Sequence, residues 1–303
     1  IKPMLATLVK KPFNNPDWLF EIKWDGYRAI AEIKKVKVSL YSRNQISLNK
    51  KYPAIADSLK KFRIDAVLDG EIVVVNDKGL PDFQMLQNYR KTGKGRLLYY
   101  VFDLLRYNGR DMTNLPLLKR KAHLKKILPS DSKIKFSDHV SKEGILFFDT
   151  VKKKGLEGIV AKHSRSKYTS GKRSKQWLKI KTRLTQEGVI AGFTEPGGSR
   201  KYFGSLVLGV YEKDKLIFIG HCGGGFTGEK MKVVYSKLKT LILKKCPFQN
   251  EPETNTPVTW VRPRLVCEVV FHGWTEEGIL RQPVFLRLRE DKSAKEVVRE
   301  KPA

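Results

Sequence analysis

A strand-like alternation that ends beside a lysine constrains this chain more than any other stretch. Over residues 18–24 every second position is apolar (Trp, Phe, Ile, Trp), which predicts a β-strand with Lys23 on the opposite face. Gly26 follows and permits a tight turn or a close approach of the backbone to a ligand. Lys23 is therefore either a surface residue of an edge strand or a nucleophilic amine held beside a phosphate. Apolar surroundings, or a nearby cation such as Arg28, would lower its pKa and favour the free amine.

Charge and length narrow the class of protein. The chain has 303 residues, of which 60 are Lys or Arg and 31 are Asp or Glu, so its net charge is +29. This charge indicates a polyanionic partner, and nucleic acid is the first candidate. No apolar run is long enough to predict a membrane span. The three cysteines are widely spaced and predict neither a disulfide framework nor a zinc site. Their spacing therefore favours a reducing, intracellular setting. The chain starts at Ile1 without an initiator methionine, which suggests an excised fragment.

The sequence pattern changes near residue 183. Before it, strands alternate with short helices, after an irregular lead-in at 1–17 that holds three prolines. Helices are predicted at 53–61, 83–90 with Asp82 as N-cap, 116–128, and 142–154 with Ser141 as N-cap. After residue 183, short strands and Gly clusters surround one helix, 228–243, with Thr227 as N-cap, which predicts a small β-barrel of the OB type.

Six blocks with charged residues at strand ends follow one another between residues 23 and 181. They are Lys23-x-Asp25-Gly26-x-Arg28, Ser42-Arg43-Asn44, Leu68-Asp69-Gly70-Glu71, Tyr100-Val101-Phe102-Asp103, Glu157-Gly158-Ile159-Val160-Ala161-Lys162 and Trp177-Leu178-Lys179-Ile180-Lys181. In this order and spacing they resemble the covalent nucleotidyltransferases, which include ATP-dependent DNA ligases, RNA ligases and mRNA capping enzymes. A last block ending in Arg289-x-Asp291-Lys292 and the tract from Trp260 to Val269 are ligase-like. Together with Phe193-Thr-Glu-Pro-Gly-Gly and Gly220-His-Cys-Gly-Gly-Gly-Phe226-Thr, they look most like the ligase domain of bacterial end-joining ligase D proteins.

This resemblance implies an α+β fold in two domains. Residues 1–183 would form a nucleotidyltransferase (adenylation) domain of antiparallel sheets with flanking helices, and residues 184–303 an OB-fold β-barrel domain. It implies an ATP-dependent DNA ligase that seals 5′-phosphate/3′-hydroxyl nicks through a covalent lysyl-AMP and an adenylated DNA, in repair by non-homologous end joining. Two alternatives stay open: an RNA ligase or capping-type nucleotidyltransferase, and a non-catalytic DNA-binding relative.

The resemblance also implies roles for single residues. Lys23 would be the nucleophile, and Mg²⁺ or Mn²⁺ would be held by Glu71 and Glu157, although Glu157 could instead pair with a neighbouring lysine. Phe102 would be a platform for adenine, although it could be a core aromatic. The nucleotide would be bound by Glu21, Arg28, Arg43, Glu71, Phe102, Lys162, Lys179 and Lys181. Of these, Lys179 and Lys181 share a strand face by their spacing.

Further contacts are expected with the leaving group and with DNA. Arg281, Arg289, Asp291 and Lys292 would orient the pyrophosphate of ATP. The basic loop from His163 to Gln176 and the segment after Gly198 would grip phosphates through Arg165, Lys167, Lys172, Arg173, Arg200 and Lys201. The expected partners are nicked or broken duplex DNA, a Ku-type end-binding protein, and polymerase or nuclease domains of the same polypeptide. We expect a monomer in the bacterial cytoplasm, associated with the nucleoid.

Overall fold

A computed structural model describes residues 1–198, 200–254 and 256–300 of the chain. The chain divides into two compact units, and the second unit begins at Arg183. No helix in the described part of the chain combines the length and apolar character needed to cross a membrane. The three cysteines are free thiols.

The first unit is built on two sheets flanked by short helices. Its strands are β1 (Leu5–Leu8), β2 (Asn15–Ile22), β3 (Tyr27–Lys34), β4 (Lys37–Ser42), β5 (Asp65–Val75), β6 (Arg96–Tyr107), β7 (Arg110–Asp111), β8 (Ile134–Phe136), β9 (Val140–Lys142), β10 (Gly158–His163) and β11 (Arg173–Lys181). Its helices are α1 (Pro53–Lys60), α2 (Phe83–Thr92), α3 (Leu117–Ile127) and α4 (Gly144–Lys153). The four helices lie where the sequence predicts them, with ends that differ by a few residues.

Each sheet is antiparallel except at one strand. The first sheet has the order β1-β11-β10-β2-β9, with β1 parallel to β11, and the second has the order β4-β3-β5-β6-β7, with β8 added parallel to β6. The expectation of an irregular lead-in at 1–17 is wrong, because β1 lies within it and β2 begins at Asn15. The N-cap predicted at Ser141 is also wrong. Ser141 lies in β9, where it pairs with Leu19 of β2, and α4 begins at Gly144.

The two sheets share a buried cluster, to which the first contributes Leu19 and Trp177 and the second Ile30 and Phe102. Gly26 fixes the turn between β2 and β3 against the second sheet. A Cβ atom at this position would lie 2.1 Å from the carbonyl oxygen of Ile72. Only glycine fits that approach, so the segment after Lys23 is held tightly on β5.

The second unit has a six-stranded sheet wrapped around its own apolar core. Its elements are β12 (Thr185–Thr194), β13 (Leu206–Glu212), β14 (Lys215–Cys222), α5 (Gly228–Leu238), β15 (Val258–Trp260), β16 (Val266–Val270), β17 (Gly273–Trp274), β18 (Leu280–Arg281), β19 (Val284–Leu288) and a 3₁₀ turn (Ala294–Glu296). The sheet order is β14-β13-β12-β16-β19, with β15 also paired to β12. Asp82 and Thr227 cap α2 and α5 as predicted, but α5 ends at Leu238 rather than at residue 243.

Candidate active site

Lys23 lies directly after β2 and is fixed at both ends. Its backbone N–H donates to the carbonyl oxygen of Gly158 at 2.9 Å, and its Nζ lies 2.7 Å from each carboxylate oxygen of Glu157. Burial alone would lower the pKa of Lys23, but the carboxylate of Glu157, with Glu71 and Asp25 nearby, raises it above its ordinary value. The lysine of this ion pair is therefore an ammonium. Glu157 does form an ion pair with a lysine, but that lysine is Lys23, 134 residues away, and not a neighbour in the sequence.

Arg28 does not supply the repulsion that was expected to favour a free amine. Its Nε and Nη2 donate to the two oxygens of Asp69 at 3.0 and 2.6 Å, and its Nη1 donates to the carbonyl oxygen of Met4 at 2.7 Å. Tyr168 Oη also donates to Asp69, at 2.7 Å. The prediction that Arg28 lowers the pKa of Lys23 is wrong, because the carboxylate of Asp69 compensates the guanidinium and carboxylates dominate around Lys23.

Glu71 lies where negative charges crowd. It is the cross-strand partner of Arg28, on the neighbouring strand β5. Burial, together with the carboxylates of Glu157 and Asp25, raises its pKa to about 8 in spite of Lys23 and Arg28. A carboxyl group under such repulsion favours a nearby cation, and oxygen donors suit Mg²⁺, so Glu71 and Glu157 fit a magnesium or manganese ion. No group of three or more His, Cys, Asp or Glu residues forms a metal cluster in the described part of the chain. A site of two carboxylates completed by substrate phosphates agrees with that finding.

Glu21, two residues before Lys23, forms a buried cluster with two lysines. Glu21 is 2% exposed; its Oε1 accepts from Lys121 at 2.8 Å and its Oε2 accepts from Lys162 at 3.0 Å. Burial is the largest influence on the pKa of Lys162, and together with the neighbouring Lys121 it lowers this pKa to about 8 despite Glu21. Lysine and carboxylate in contact present a donor and an acceptor side by side. That pair is suited to reading the edge of a base.

Phe102 belongs to the core and also carries cations on its ring. It is 9% exposed and contributes to the cluster between the two sheets. The Nζ of Lys162 lies 4.1 Å from its ring centroid and 4.4 Å from that of Trp177, and the Arg28 guanidinium lies 5.4 Å from the Phe102 ring. Such contacts are favourable cation–π interactions. Both sequence alternatives for Phe102, core aromatic and platform, are therefore compatible with its position.

Strand register decides which lysines share a surface. Lys162 pairs with Trp177, Val160 with both Lys179 and Glu21, and Gly158 with Lys181. Cross-strand partners and alternate residues point the same way, so Glu21, Lys162, Lys179 and Lys181 project from one face of the first sheet. The common face of Lys179 and Lys181 agrees with the sequence prediction, and the register adds Lys162 to it.

Arg43 and the C-terminal residues lie in different surroundings. Arg43 follows β4 and makes no hydrogen bond or ion pair to any residue that the structure describes. In the second unit, Arg289 binds Asp291 through two hydrogen bonds of 2.7 and 2.8 Å, and both Arg289 and Lys292 pair with Glu187. Arg281 is exposed on β18, outside this cluster. The pyrophosphate role of these four residues stays a prediction.

The cations expected to bind DNA are at the surface. Arg165, Lys167 and Lys172 are exposed in the loop between β10 and β11. That loop is shorter than expected, because β10 extends to His163 and β11 begins at Arg173, whose Nη1 donates to the carbonyl oxygen of Ala6 at 2.5 Å. In the second unit, Arg200 and Lys201 line an open cavity of about 660 Å³ beside the glycines at 223–225 and the start of α5.

Two polar residues of the site could not be found from the sequence. Lys121 lies in the basic helix α3 and looks like one of its solvated lysines, yet it is buried against Glu21. Ser137 follows β8 and is 1% exposed; its carbonyl oxygen accepts from Lys121 and its hydroxyl donates to Glu21 at 3.3 Å. Neither residue has a neighbouring motif. Only the long-range packing of β8 on β6 brings Ser137 to the site.

Comparison with known proteins gives similarities over the whole chain. Residues 3–181 match the family described as "ATP dependent DNA ligase domain", and residues 199–292 match "ATP dependent DNA ligase C terminal region". The multifunctional non-homologous end joining protein LigD of Pseudomonas aeruginosa is 39% identical over 100% of this chain and 37% of its own length.

Two solved structures extend these similarities to the fold. A mycobacterial DNA ligase D in complex with ATP and MES is 33% identical with a TM-score of 0.71, covering 99% of this chain and 98% of that one. The ligase domain of Mycobacterium tuberculosis LigD is 33% identical with a TM-score of 0.55 over the same shares. The chain spans 37–40% of the length of the LigD proteins that it matches.

Proposed function

The chain belongs to the family of ATP-dependent DNA ligases, and on that premise we propose that it seals breaks between a 5′-phosphate and a 3′-hydroxyl in duplex DNA. Its fold is the one that the family implies: a nucleotidyltransferase unit followed by an OB-fold unit. The observation that carries the proposal is the position of Lys23, fixed at a strand end beside two carboxylates and next to a face that presents Lys179 and Lys181.

The reaction consists of three displacements at phosphorus. The Nζ of Lys23 attacks the α-phosphate of ATP; a P–N bond forms, the bond to the bridging oxygen breaks, and pyrophosphate leaves. An oxygen of the DNA 5′-phosphate then attacks the lysyl-AMP, and the P–N bond breaks as the lysine is released. Finally the 3′-hydroxyl attacks the 5′-phosphorus and AMP leaves. A covalent nucleophile thus replaces one difficult displacement by easier ones.

The protein's side chains position ATP and neutralise the charge of its phosphates. Lys23 must lose a proton before it attacks, because the ammonium has no lone pair. The Glu157 carboxylate opposes this deprotonation as long as it is in contact with Nζ. In this proposal Lys179, Lys181 and Arg43 bind phosphate oxygens, and Phe102 with the Glu21–Lys162 pair binds the adenine. Glu71 and Glu157 would hold Mg²⁺ or Mn²⁺, which supplies positive charge beside the phosphates when it is bound.

The biological setting belongs to the same proposal. LigD relatives are named as multifunctional end-joining proteins, and the chain spans less than half of their length. These names support a role in the repair of DNA breaks by non-homologous end joining. The partners that we propose are polymerase and nuclease domains of the same polypeptide and a Ku-type end-binding protein. A monomer acting at the bacterial nucleoid agrees with that role.

Covalent labelling tests the chemistry. Incubation with Mg²⁺ and ATP labelled at the α-phosphate is expected to leave label on the denatured wild-type chain. Lys23→Ala should carry none, because the amine is gone, while Lys60→Ala, which removes an exposed lysine paired with Asp57, should label as the wild type does. An unlabelled wild type would contradict ligase activity, and label on Lys23→Ala would contradict the nucleophile.

Sealing of a nicked duplex tests the substrate. We expect the labelled protein to join nicked DNA faster than the same nick with RNA strands. Faster sealing of RNA would favour the RNA-ligase alternative, and transfer of GMP in place of AMP would favour a capping-type enzyme.

A further inference from the structure

Trp24, the residue after Lys23, makes contacts that none of the nucleotide contacts above explain. Its ring stacks on Tyr100 with centroids 3.7 Å apart and planes within 9°. Its Nε1 donates to the hydroxyl of Ser137 at 3.2 Å. Both Trp24 and Tyr100 are partly exposed, so the pair lies at the rim of the site and not in the central core.

The contacts of Trp24 and those of Lys23 reach different sheets. Lys23 is bound to the first sheet, through its N–H to Gly158 and its Nζ to Glu157. Trp24 lies on the second sheet, because Tyr100 belongs to β6 and is the cross-strand partner of Glu71. The peptide bond between these two residues therefore joins the surface that carries Glu157 to the surface that carries Glu71.

Ser137 adds a directional restraint. Its backbone N–H donates to Val101 in β6, and its hydroxyl accepts from Trp24. The hydroxyl proton must then point elsewhere, and it points to Glu21 Oε2 at 3.3 Å. The indole N–H thus fixes both the Lys23 loop and the orientation of a donor to Glu21.

We infer that Trp24 is a positioning residue for the reaction of Lys23: its stack on Tyr100 and its bond to Ser137 hold the lysine loop against the second sheet, so that Nζ is aligned with the α-phosphate. This inference rests on the proposed function. A displacement at phosphorus needs the attacking atom in line with the leaving group, and small misplacements lower such rates by up to about a hundredfold. Glu21 keeps its contacts with Lys121 and Lys162 without Trp24, so the loss of Trp24 should lower the rate of lysyl-AMP formation and spare the affinity for ATP.

The alternative is that Trp24 only covers the small apolar cluster of Val73, Val75 and Leu98, against which it packs. Substitution by leucine separates the two, since leucine covers apolar surface but cannot stack or donate a hydrogen bond. Phenylalanine keeps the stack and loses only the N–H. Tyr100→Leu removes the other half of the stack without changing the lysine loop.

The experiment measures the single-turnover rate of lysyl-AMP formation at saturating ATP, after removal of bound AMP with pyrophosphate. Trp24→Leu should lower the rate about tenfold or more, and Trp24→Phe, which keeps the stack without the N–H, should give a rate between those of Trp24→Leu and the wild type. Trp24→Leu with Tyr100→Leu should lose little beyond either single change. ATP affinity, measured in a Lys23→Ala background where no reaction occurs, should stay within about twofold. Trp18→Leu, on β2 and outside the site, is the control and should keep its rate.

Several outcomes would overturn the inference. They are a Trp24→Leu rate close to that of the wild type, a loss of ATP affinity as large as the loss of rate, and an equal effect of Trp18→Leu. Each of these leaves wild-type labelling intact. Failure of the proposed function is different, because the wild type itself would then form no lysyl-AMP.

Discussion

Two lysines of the site, Lys23 and Lys162, both contact a carboxylate, but their pKa values are shifted in opposite directions. Lys23 has the Glu157 carboxylate in a two-oxygen contact and further acids nearby, which outweigh burial and raise its pKa. Lys162 shares Glu21 with a second cation, Lys121, so burial prevails and lowers its pKa to about 8. The count of charges around each lysine, rather than the presence of a partner, decides the direction.

Lys162 should leave a signature in the pH dependence of stability. Its pKa is about 8 in the folded chain, against the ordinary value of 10.5 for a lysine in the unfolded chain. Between these values the unfolded chain binds a proton that the folded chain does not, so the wild-type free energy of unfolding should rise with pH by about 1 kcal/mol per pH unit from this group. Below pH 8 both states hold the proton and the contribution is constant. Lys162→Met should lack this rise.

Urea denaturation of the wild type and Lys162→Met from pH 7 to 10 measures the difference between the two slopes. Lys175→Met, an exposed lysine on β11, is the matched control and should follow the wild type. Parallel curves for the wild type and Lys162→Met would contradict the lowered pKa of Lys162.

At the scale of elements, a buried ion pair joins β6 to α3. Asp103 and Arg120 are both 0% exposed, and Arg120 donates to both carboxylate oxygens at 2.7 and 2.8 Å. Its Nη1 also donates to the carbonyl oxygens of Leu115 and Ser166. The pair therefore connects a strand, a helix and the loop after β10, just beside Phe102.

Asp103→Asn should destabilise the chain by about 3 kcal/mol, because it leaves the Arg120 charge buried without compensation. Denaturant unfolding gives the value. Asp57→Asn, which breaks the exposed pair with Lys60, is the matched control and should cost less than about 1 kcal/mol. Equal losses for the two variants would show that burial of the Asp103 pair is unimportant.

Local patterns predicted local elements well and long-range pairings poorly. The helix after Asp82 was predictable because its cap and apolar positions lie within a few residues. Strand β1 was not, because its partner β11 lies more than 160 residues away, at Leu5 with Arg173. Ser141 failed as a cap for the same reason: β2 takes it as a strand partner.

The site shows the same division. Lys23, Glu71 and Glu157 could be named from ordered motifs, whereas the contacts between Lys23 and Glu157 and between Arg28 and Asp69 could not. Arg28 was expected to repel the ammonium of Lys23, but the guanidinium of Arg28 is bound by Asp69. Only the pairing of β3 with β5 creates this contact. Ser137 and Lys121 carry no motif at all, and tertiary packing alone reveals them.

For the whole molecule, the net charge of +29 makes binding to a polyanion strongly dependent on salt. Each phosphate contact releases counterions, so the slope of log affinity against log salt concentration counts the contacts. The exposed loop between β10 and β11 is a compact part of this charge, since Arg165, Lys167 and Lys172 lie within eight residues. If these cations contact phosphates directly, their removal changes the slope. If they act only through the overall charge, their removal has the same effect as the removal of cations elsewhere.

Replacement of Arg165, Lys167 and Lys172 by glutamine should therefore make the salt dependence of DNA binding shallower by about 2 to 3 units of slope. Affinity for a nicked duplex, measured by fluorescence anisotropy over a range of salt concentrations, gives the value. The matched control replaces the exposed Lys34, Lys37 and Lys61, which removes the same charge far along the chain. Because the net charge falls equally in both variants, a shallower slope in the loop variant alone would identify direct phosphate contacts. Equal slopes in the two variants would contradict them and leave only the overall charge to attract DNA.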